Sequence, residues 1–88
     1  MNSYLAKIYG DTVLLSKKDS EHLVMSRVGT GRDMTVDKRF IRNLNKMCFE
    51  AQNQQEINEI TEAREALLRA GKELDVDIDS GYETLVQL

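Results

Sequence analysis

Apolar residues recur at helical spacing over most of the segment 38–71, but the apolar side changes half-way along it. At about 100° per residue, the first half gathers the following residues on one side: Phe40, Ile41, Leu44, Met47, Cys48 and Ala51. The second half places Ile57, Ile60, Leu67 and Leu68 roughly opposite. Stripes of this width are typical of helices that pack against a core. The pattern predicts either one long helix or two helices.

The two arrangements differ in what the second stripe contacts. If the chain breaks near 52–55, Asn53 and Glu56 resemble a capping box, and the two helices fold back as an antiparallel hairpin. If the helix is continuous, its second side pairs with another copy in a two-fold dimer. Phe49 favours the continuous or gently bent helix, because it aligns with the second stripe and is otherwise exposed. Gly71 is the expected stop.

Arg64 falls in the centre of the second apolar stripe. There it either forms a register-fixing polar pair across a dimer, together with Asn53, or extends its charged end to the rim of the interface. The sequence does not choose between these two roles.

The N-terminal third contains short β-prone runs. Those over 5–16 flank Gly10-Asp11, which predicts a hairpin; the alternative is a helical turn followed by a lone strand. The polar segment 16–22 predicts a loop. Residues 22–28 and 33–36 predict two strands joined by 29–32, or else a short helix capped by Ser20. Thr35 or Asp37 is a suitable N-cap for the helix that follows.

Apolar and acidic residues alternate over 73–79, which predicts a strand with Leu74, Val76 and Ile78 inward. A last strand over 83–88 would pair with it. The fold class we expect is therefore small α+β, a single domain over 1–88. Its parts are N-terminal β-hairpins, a long central helix or helical hairpin over about 38–70, and a short C-terminal β element.

The size of the chain limits its core and its location. A domain of 88 residues buries a modest fraction of its surface, so oligomerisation is a plausible supplement. The single cysteine, Cys48, excludes an intramolecular disulfide and favours a reducing, cytoplasmic location. No secretory signal is visible, and no apolar run is long enough to span a membrane. Size alone suggests an accessory protein of a phage or mobile element.

Charge is segregated along the sequence. The segment 27–46 has six cations and two carboxylates, a net charge of +4, whereas 47–88 has three cations and ten carboxylates, a net charge of −7. Such asymmetry indicates either mutual neutralisation or a charged partner. The residues expected to bind phosphate or nucleic acid are Arg27, Gly29, Gly31, Arg32, Lys38, Arg39, Arg42 and Lys46.

Two features refine this phosphate-binding hypothesis. Gly29 and Gly31 define a turn whose amides form an anion nest if they are free, and Phe49 provides a ring for stacking a base. The chain is acidic overall, at −3, whereas dedicated nucleic-acid domains are usually basic throughout. We therefore take nucleic-acid or nucleotide-phosphate binding as the alternative function.

No constellation of catalytic residues is apparent. His22 and Cys48 are the lone members of their types. A catalytic dyad needs them within hydrogen-bond reach of each other, whereas Cys48 belongs to the core-facing apolar stripe and His22 lies in a polar segment. The run Asp75, Asp77, Asp79 begins like a calcium loop, but Ser80 and Val86 occupy the positions that require Gly and Glu. We expect no enzyme activity, metal or cofactor.

The expected function is that of a non-enzymatic cytoplasmic regulator or inhibitor. It would bind a macromolecular partner, most simply a protein, through a charge-segregated helical surface, and would itself form a homodimer. The residues expected to bind the partner are Phe49, Ile57, Glu59, Ile60, Glu62, Arg64, Glu65 and Leu67.

Overall fold

A computed structural model describes residues 2–80 as a four-stranded antiparallel sheet followed by two helices. The strands are β1 (Ser3–Ile8), β2 (Asp11–Asp19), β3 (His22–Arg27) and β4 (Asp33–Val36), and they lie side by side in chain order. The helices are α1 (Lys38–Glu50) and α2 (Gln54–Leu74). The α+β class predicted from the sequence is confirmed.

The first hairpin is confirmed, with its turn one residue earlier than predicted. Ile8 pairs with Asp11, so Tyr9 and Gly10 form the connection. Both have positive φ, 53° and 81°, which is the backbone of a type I′ turn and matches the twist of the strands. Gly10 adopts this conformation without strain, and it determines where the turn falls.

The loop predicted over 16–22 is wrong, because β2 runs to Asp19 and β3 begins at His22. Exposed lysines at 17 and 18 are compatible with a strand that is open to solvent. Asp19 Oδ1 accepts a 2.9 Å hydrogen bond from Glu21 N and so closes the short turn. Of the two alternatives for 22–28 and 33–36, the pair of strands is correct and the short helix capped by Ser20 is not.

The helix breaks between Glu50 and Gln54, so the continuous helix that we favoured is wrong. The cause is local. Asn53 Oδ1 accepts from Glu56 N at 2.9 Å, and Glu56 Oε2 accepts from Gln52 N at 3.2 Å. This capping satisfies amides that a new helix start leaves unpaired. At the start of α1, Asp37 is the N-cap and accepts from Phe40 N at 3.1 Å.

The two helices form an antiparallel hairpin over one face of the sheet. Arg64 contacts Asn45 and Thr61 contacts Cys48, so the contacts run in opposite directions along α1 and α2. The core between helices and sheet includes Leu15, Leu23, Val36, Ile41, Leu44, Ile60, Ala63, Leu67 and Ala70. All come from alternating strand positions or from one side of a helix, as burial of one face requires.

The helix α2 does not stop at Gly71 as predicted; it continues to Leu74 and ends with Asp75 in a left-handed conformation, φ 57°. The strand predicted over 73–79 is also wrong, since the chain turns back there: Val76 N donates to the carbonyl of Gly71 at 2.8 Å. The inward positions of Leu74, Val76 and Ile78 are confirmed. The strand predicted over 83–88 lies outside the described residues.

Candidate functional site

Phe49 is the most exposed large apolar side chain among the described residues, with 93% of its surface open to solvent. It lies near the end of α1. Lys46 lies three residues before Phe49 and Arg42 lies seven before it, which places both on the same side of the helix, and both are exposed. We call Arg42, Lys46 and Phe49 the α1 stripe.

The packing of α1 dictates the orientation of this stripe. Ile41 and Leu44 are buried in the core, at 2% and 4% exposure, and Cys48 is half-buried against Thr61 of α2. These contacts fix which side of α1 faces inward, so the opposite side is held toward solvent. An aromatic ring that follows two cations along one side of α1 is thus presented by a helix whose rotation is fixed.

The remaining cations of the basic segment do not join the α1 stripe into one surface. Arg27 forms an ion pair with Asp11 at 3.2 Å. Lys38 contacts Glu21 at 3.3 Å and Asp77 at 3.4 Å, and these partners raise the pKa of its ammonium group, Glu21 foremost. Part of the charge asymmetry is therefore neutralised within the molecule.

Arg39 and Arg32 complete the basic segment. Arg39 Nε lies 4.0 Å from Asp37 Oδ2 while its side chain stays 88% exposed, which makes this a weak surface pair. Arg32 is exposed in the β3–β4 turn. It lies in a different element from the α1 stripe.

The turn at 29–32 has the glycine conformations expected of an anion nest, with φ 91° at Gly29 and 68° at Gly31. Two of its amides are already bonded, however. Thr30 N donates to the carbonyl of Arg27 at 3.3 Å, and Arg32 N donates to Thr30 Oγ1 at 3.3 Å. These amides are not available to a phosphate in this conformation, which weakens the predicted nest.

Three of the residues predicted to bind a partner serve the interior of the protein instead. Ile60 and Leu67 are core residues, with 5% and 0% exposure. Arg64 Nη1 donates to Asn45 Oδ1 of α1 at 3.0 Å, so its polar pair forms within one chain rather than across a dimer. Ile57 is half-buried. These assignments depended on the continuous helix, and they are corrected with it.

The three predicted acidic contacts remain on the surface. Glu59, Glu62 and Glu65 are all exposed on α2. Glu62 and Glu65 line a groove of about 290 Å³ beside β1, together with Arg69 and Lys7. The cations of the α1 stripe and these carboxylates of α2 thus lie on different helices, in agreement with the charge segregation along the sequence.

Neither candidate for acid–base or nucleophilic chemistry is placed in a catalytic arrangement. His22 Nδ1 lies 2.7 Å from Asp19 Oδ1 at the β2–β3 turn, and its Nε2 lies 3.8 Å from Asp37 Oδ2. The pKa of Asp19 is lowered, first by the amide of Glu21 and then by His22. Cys48 contacts Thr61 at 4.0 Å and forms no contact with His22.

Over residues 2–80 no three His, Cys, Asp or Glu side chains are grouped closely enough to hold a metal ion. Asp77, from the run that resembled a calcium loop, accepts from Ser80 N at 3.1 Å and pairs with Lys38. Within the same range, no helix has both the length and the apolar character needed to cross a bilayer.

Comparison with known proteins adds no functional assignment. No protein-family model matches this chain, no curated protein is similar to it, and no solved structure matches its fold. The function must therefore be argued from the surface itself. Sequence reasoning identified the residues of the α1 stripe, but it grouped Met47 with the core-facing side of α1, whereas the structure leaves Met47 46% exposed. It assigned no role to Tyr9, which is also 46% exposed.

Proposed function

We propose that this protein is a non-enzymatic regulator or inhibitor that binds another protein through the α1 stripe. The observation that supports the proposal most is the 93% exposure of Phe49 on a helix whose orientation the core fixes. Aromatic side chains, phenylalanine among them, and arginine are enriched in the cores of protein interfaces. A partner that covered the ring would remove its apolar surface from water, which is favourable.

The chemistry of the stripe specifies the partner surface. Arg42 and Lys46 form no ion pair with another described residue, so both are available to carboxylates. The partner would present an apolar recess for Phe49 with acidic groups around it. Charge complementarity of this kind raises association rates and selects between partners. The protein would then act by occupying the partner's surface, with no chemistry of its own.

Nucleic acid is the alternative partner, because an exposed ring on the same side of a helix as two cations also suits base stacking and phosphate contact. Protein is preferred on two grounds. The chain carries a net charge of −3, and Arg27 and Lys38 are engaged with carboxylates. The test below distinguishes the two.

The single cysteine, half-buried and free, supports a cytoplasmic location for this activity. Self-association stays a prediction. The second apolar stripe no longer provides an interface for a dimer, because Ile60 and Leu67 are buried in the core. Native mass spectrometry of the purified protein measures the oligomeric state directly.

The experiment is affinity capture with and without nuclease, at low and moderate salt, using matched variants. Phe49→Ala and Arg42→Glu/Lys46→Glu should each lose the partner protein. The control variant Lys17→Glu/Lys18→Glu makes the same charge change at exposed positions of β2 and should retain it. If only nucleic acid were recovered, and it were lost on nuclease treatment, protein binding would be rejected in favour of phosphate binding. Equal capture by all variants would overturn both.

A further inference from the structure

A second surface feature lies where the β1–β2 turn meets the α1–α2 turn. It is a recess of about 270 Å³ lined by Tyr9, Met47, Glu50, Ala51, Glu56, Glu59 and Ile60. We call it the acidic recess. We propose that the acidic recess binds an arginine side chain from a basic segment of a partner protein.

The walls of the acidic recess suit the apolar parts of an arginine. Ile60, Tyr9 and Met47 all line the recess; Ile60 is buried, whereas Tyr9 and Met47 are each 46% exposed. The aliphatic stem of arginine packs along apolar surface of this kind. A guanidinium plane also stacks on an aromatic face such as the ring of Tyr9. An uncharged apolar side chain would gain only the first of these contacts.

The charges of the acidic recess are complementary to a cation. Three of its lining residues are glutamates, and none is lysine or arginine. Glu56 is held by the amide of Gln52 at 3.2 Å, and Glu59 accepts from Gln55 Nε2 at 3.3 Å. Two of the carboxylates are therefore positioned by the start of α2. Each retains lone pairs for the donors of a guanidinium group.

The backbone places the ring of Tyr9 at this position. Tyr9 has φ 53° in a type I′ turn, where Asn, Asp or Gly is usual. A bulky residue is disfavoured in that conformation, so the turn itself gives no reason for tyrosine. Partial burial and then the nearby carboxylate of Glu59 raise the pKa of the Tyr9 hydroxyl, which agrees with a ring that borders negative charge.

This inference is independent of the α1 stripe, because the acidic recess shares none of Arg42, Lys46 and Phe49. Its test uses a peptide rather than the cellular partner. Acetyl-Gly-Gly-Arg-Gly-Gly-amide is titrated into the isotope-labelled full chain and followed by amide NMR shifts. The same peptide with citrulline in place of arginine is the neutral, nearly isosteric control.

The arginine peptide should shift the amides of Tyr9, Gly10, Glu50 and Glu59 in a saturable way, and the citrulline peptide should not. Equal shifts with citrulline, or shifts located elsewhere on the protein, would overturn the proposal. If the α1 stripe variants captured the partner protein as well as wild type, the result of this titration would not change. The two proposals can therefore be refuted independently.

Variants locate the binding within the acidic recess. Glu50→Gln/Glu59→Gln should weaken binding about tenfold, and Tyr9→Asn should weaken it roughly threefold. Asparagine is well suited to this turn, so the second variant removes the ring without harming the fold. The control Glu62→Gln/Glu65→Gln removes the same charge from α2 outside the recess and should bind as wild type. An equal loss in the control would show general charge attraction and would overturn the proposal.

Discussion

Arg64 of α2 donates a 3.0 Å hydrogen bond from Nη1 to Oδ1 of Asn45 on α1. This bond joins the two helices within one chain, at a place where the sequence alone allowed a contact between two chains. Asn45 Nδ2 is buried without a hydrogen-bond partner among the described residues. The side-chain amide of Asn45 is therefore oriented by the hydrogen bond that its oxygen accepts from Arg64.

A double-mutant cycle measures the strength of this contact. Asn45→Ala, Arg64→Ala and the double variant should give a coupling free energy of about 1–2 kcal/mol, as for a hydrogen bond with one charged partner. Urea unfolding at several protein concentrations provides the values. Coupling near zero would contradict the contact, and coupling that grows with protein concentration would indicate a dimer contact instead.

Truncation of Leu67 should destabilise the fold strongly, whereas truncation of Phe49 should leave its stability almost unchanged. Leu67 is fully buried, so Leu67→Ala should lower the free energy of unfolding by about 2–5 kcal/mol through lost burial and a cavity. Phe49→Ala should change it by less than about 0.5 kcal/mol, because the ring contacts solvent. Thermal and urea unfolding test both. A large loss of stability in Phe49→Ala would mean that the ring is structural and would remove the basis for the α1 stripe.

Gly71 should resist replacement by alanine. An added Cβ would lie 2.9 Å from the carbonyl oxygen of Val76 and 3.0 Å from Cγ1 of Ile78. Helix propensity alone favours alanine by about 1 kcal/mol, but overpacking typically costs about 1–3 kcal/mol. Because the nearest atom belongs to the backbone, we expect a net loss of about 1 kcal/mol in urea unfolding.

Lys72→Ala is the matched control for Gly71→Ala, since it changes an exposed neighbour on the same helix. It should leave the free energy of unfolding within about 0.5 kcal/mol of wild type. Increased stability of Gly71→Ala would show that the segment after α2 does not pack as described.

Acid should weaken the attachment of the segment that follows α2, because the carboxylate of Asp77 becomes protonated. The amide of Ser80, foremost, lowers the pKa of the Asp77 carboxyl, and Lys38 adds to the effect. A lowered folded-state pKa means that the carboxylate stabilises the fold above its unfolded pKa. That contribution is lost as the pH falls through the folded value. Asp77→Asn should therefore lose less stability than wild type between about pH 5 and pH 2.

Urea midpoints measured across that pH range test this prediction, with Glu73→Gln as the control at an exposed position of α2. If Asp77→Asn and wild type lost stability in parallel, the carboxylate of Asp77 would have no preferential role in the folded state.

Local signals accounted for the parts of the fold that the sequence predicted well. The capping residues Asn53 and Glu56 are only three residues apart in the chain, and the stripe around Ile41 and Leu44 follows from the helical period. Local sequence signals could not decide between a broken and a continuous helix. It depends on whether Ile60 and Leu67 bury against the same sheet as α1, which only the assembled core decides.

Two further features could not be predicted, for the same physical reason. Gly71 resembles a helix stop, yet it serves a close approach by Val76 and Ile78 that occurs after the chain reverses. The acidic recess combines Tyr9, Met47 and Glu59 from three separated elements. In contrast, the position of Phe49 away from Ile41 and Leu44 follows from helical period alone, although the continuous helix that we favoured would have covered its ring with a second chain.

Photo-crosslinking from position 49 tests the central claim most directly. Phe49→p-benzoylphenylalanine keeps an aromatic ring on the α1 stripe, and Val28→p-benzoylphenylalanine places the same group at another exposed apolar position, 61% open to solvent. After irradiation in cells, the account predicts a covalent adduct with one protein from position 49 and none from position 28. No adduct at position 49, or the same adducts from both positions, would contradict protein binding through the α1 stripe.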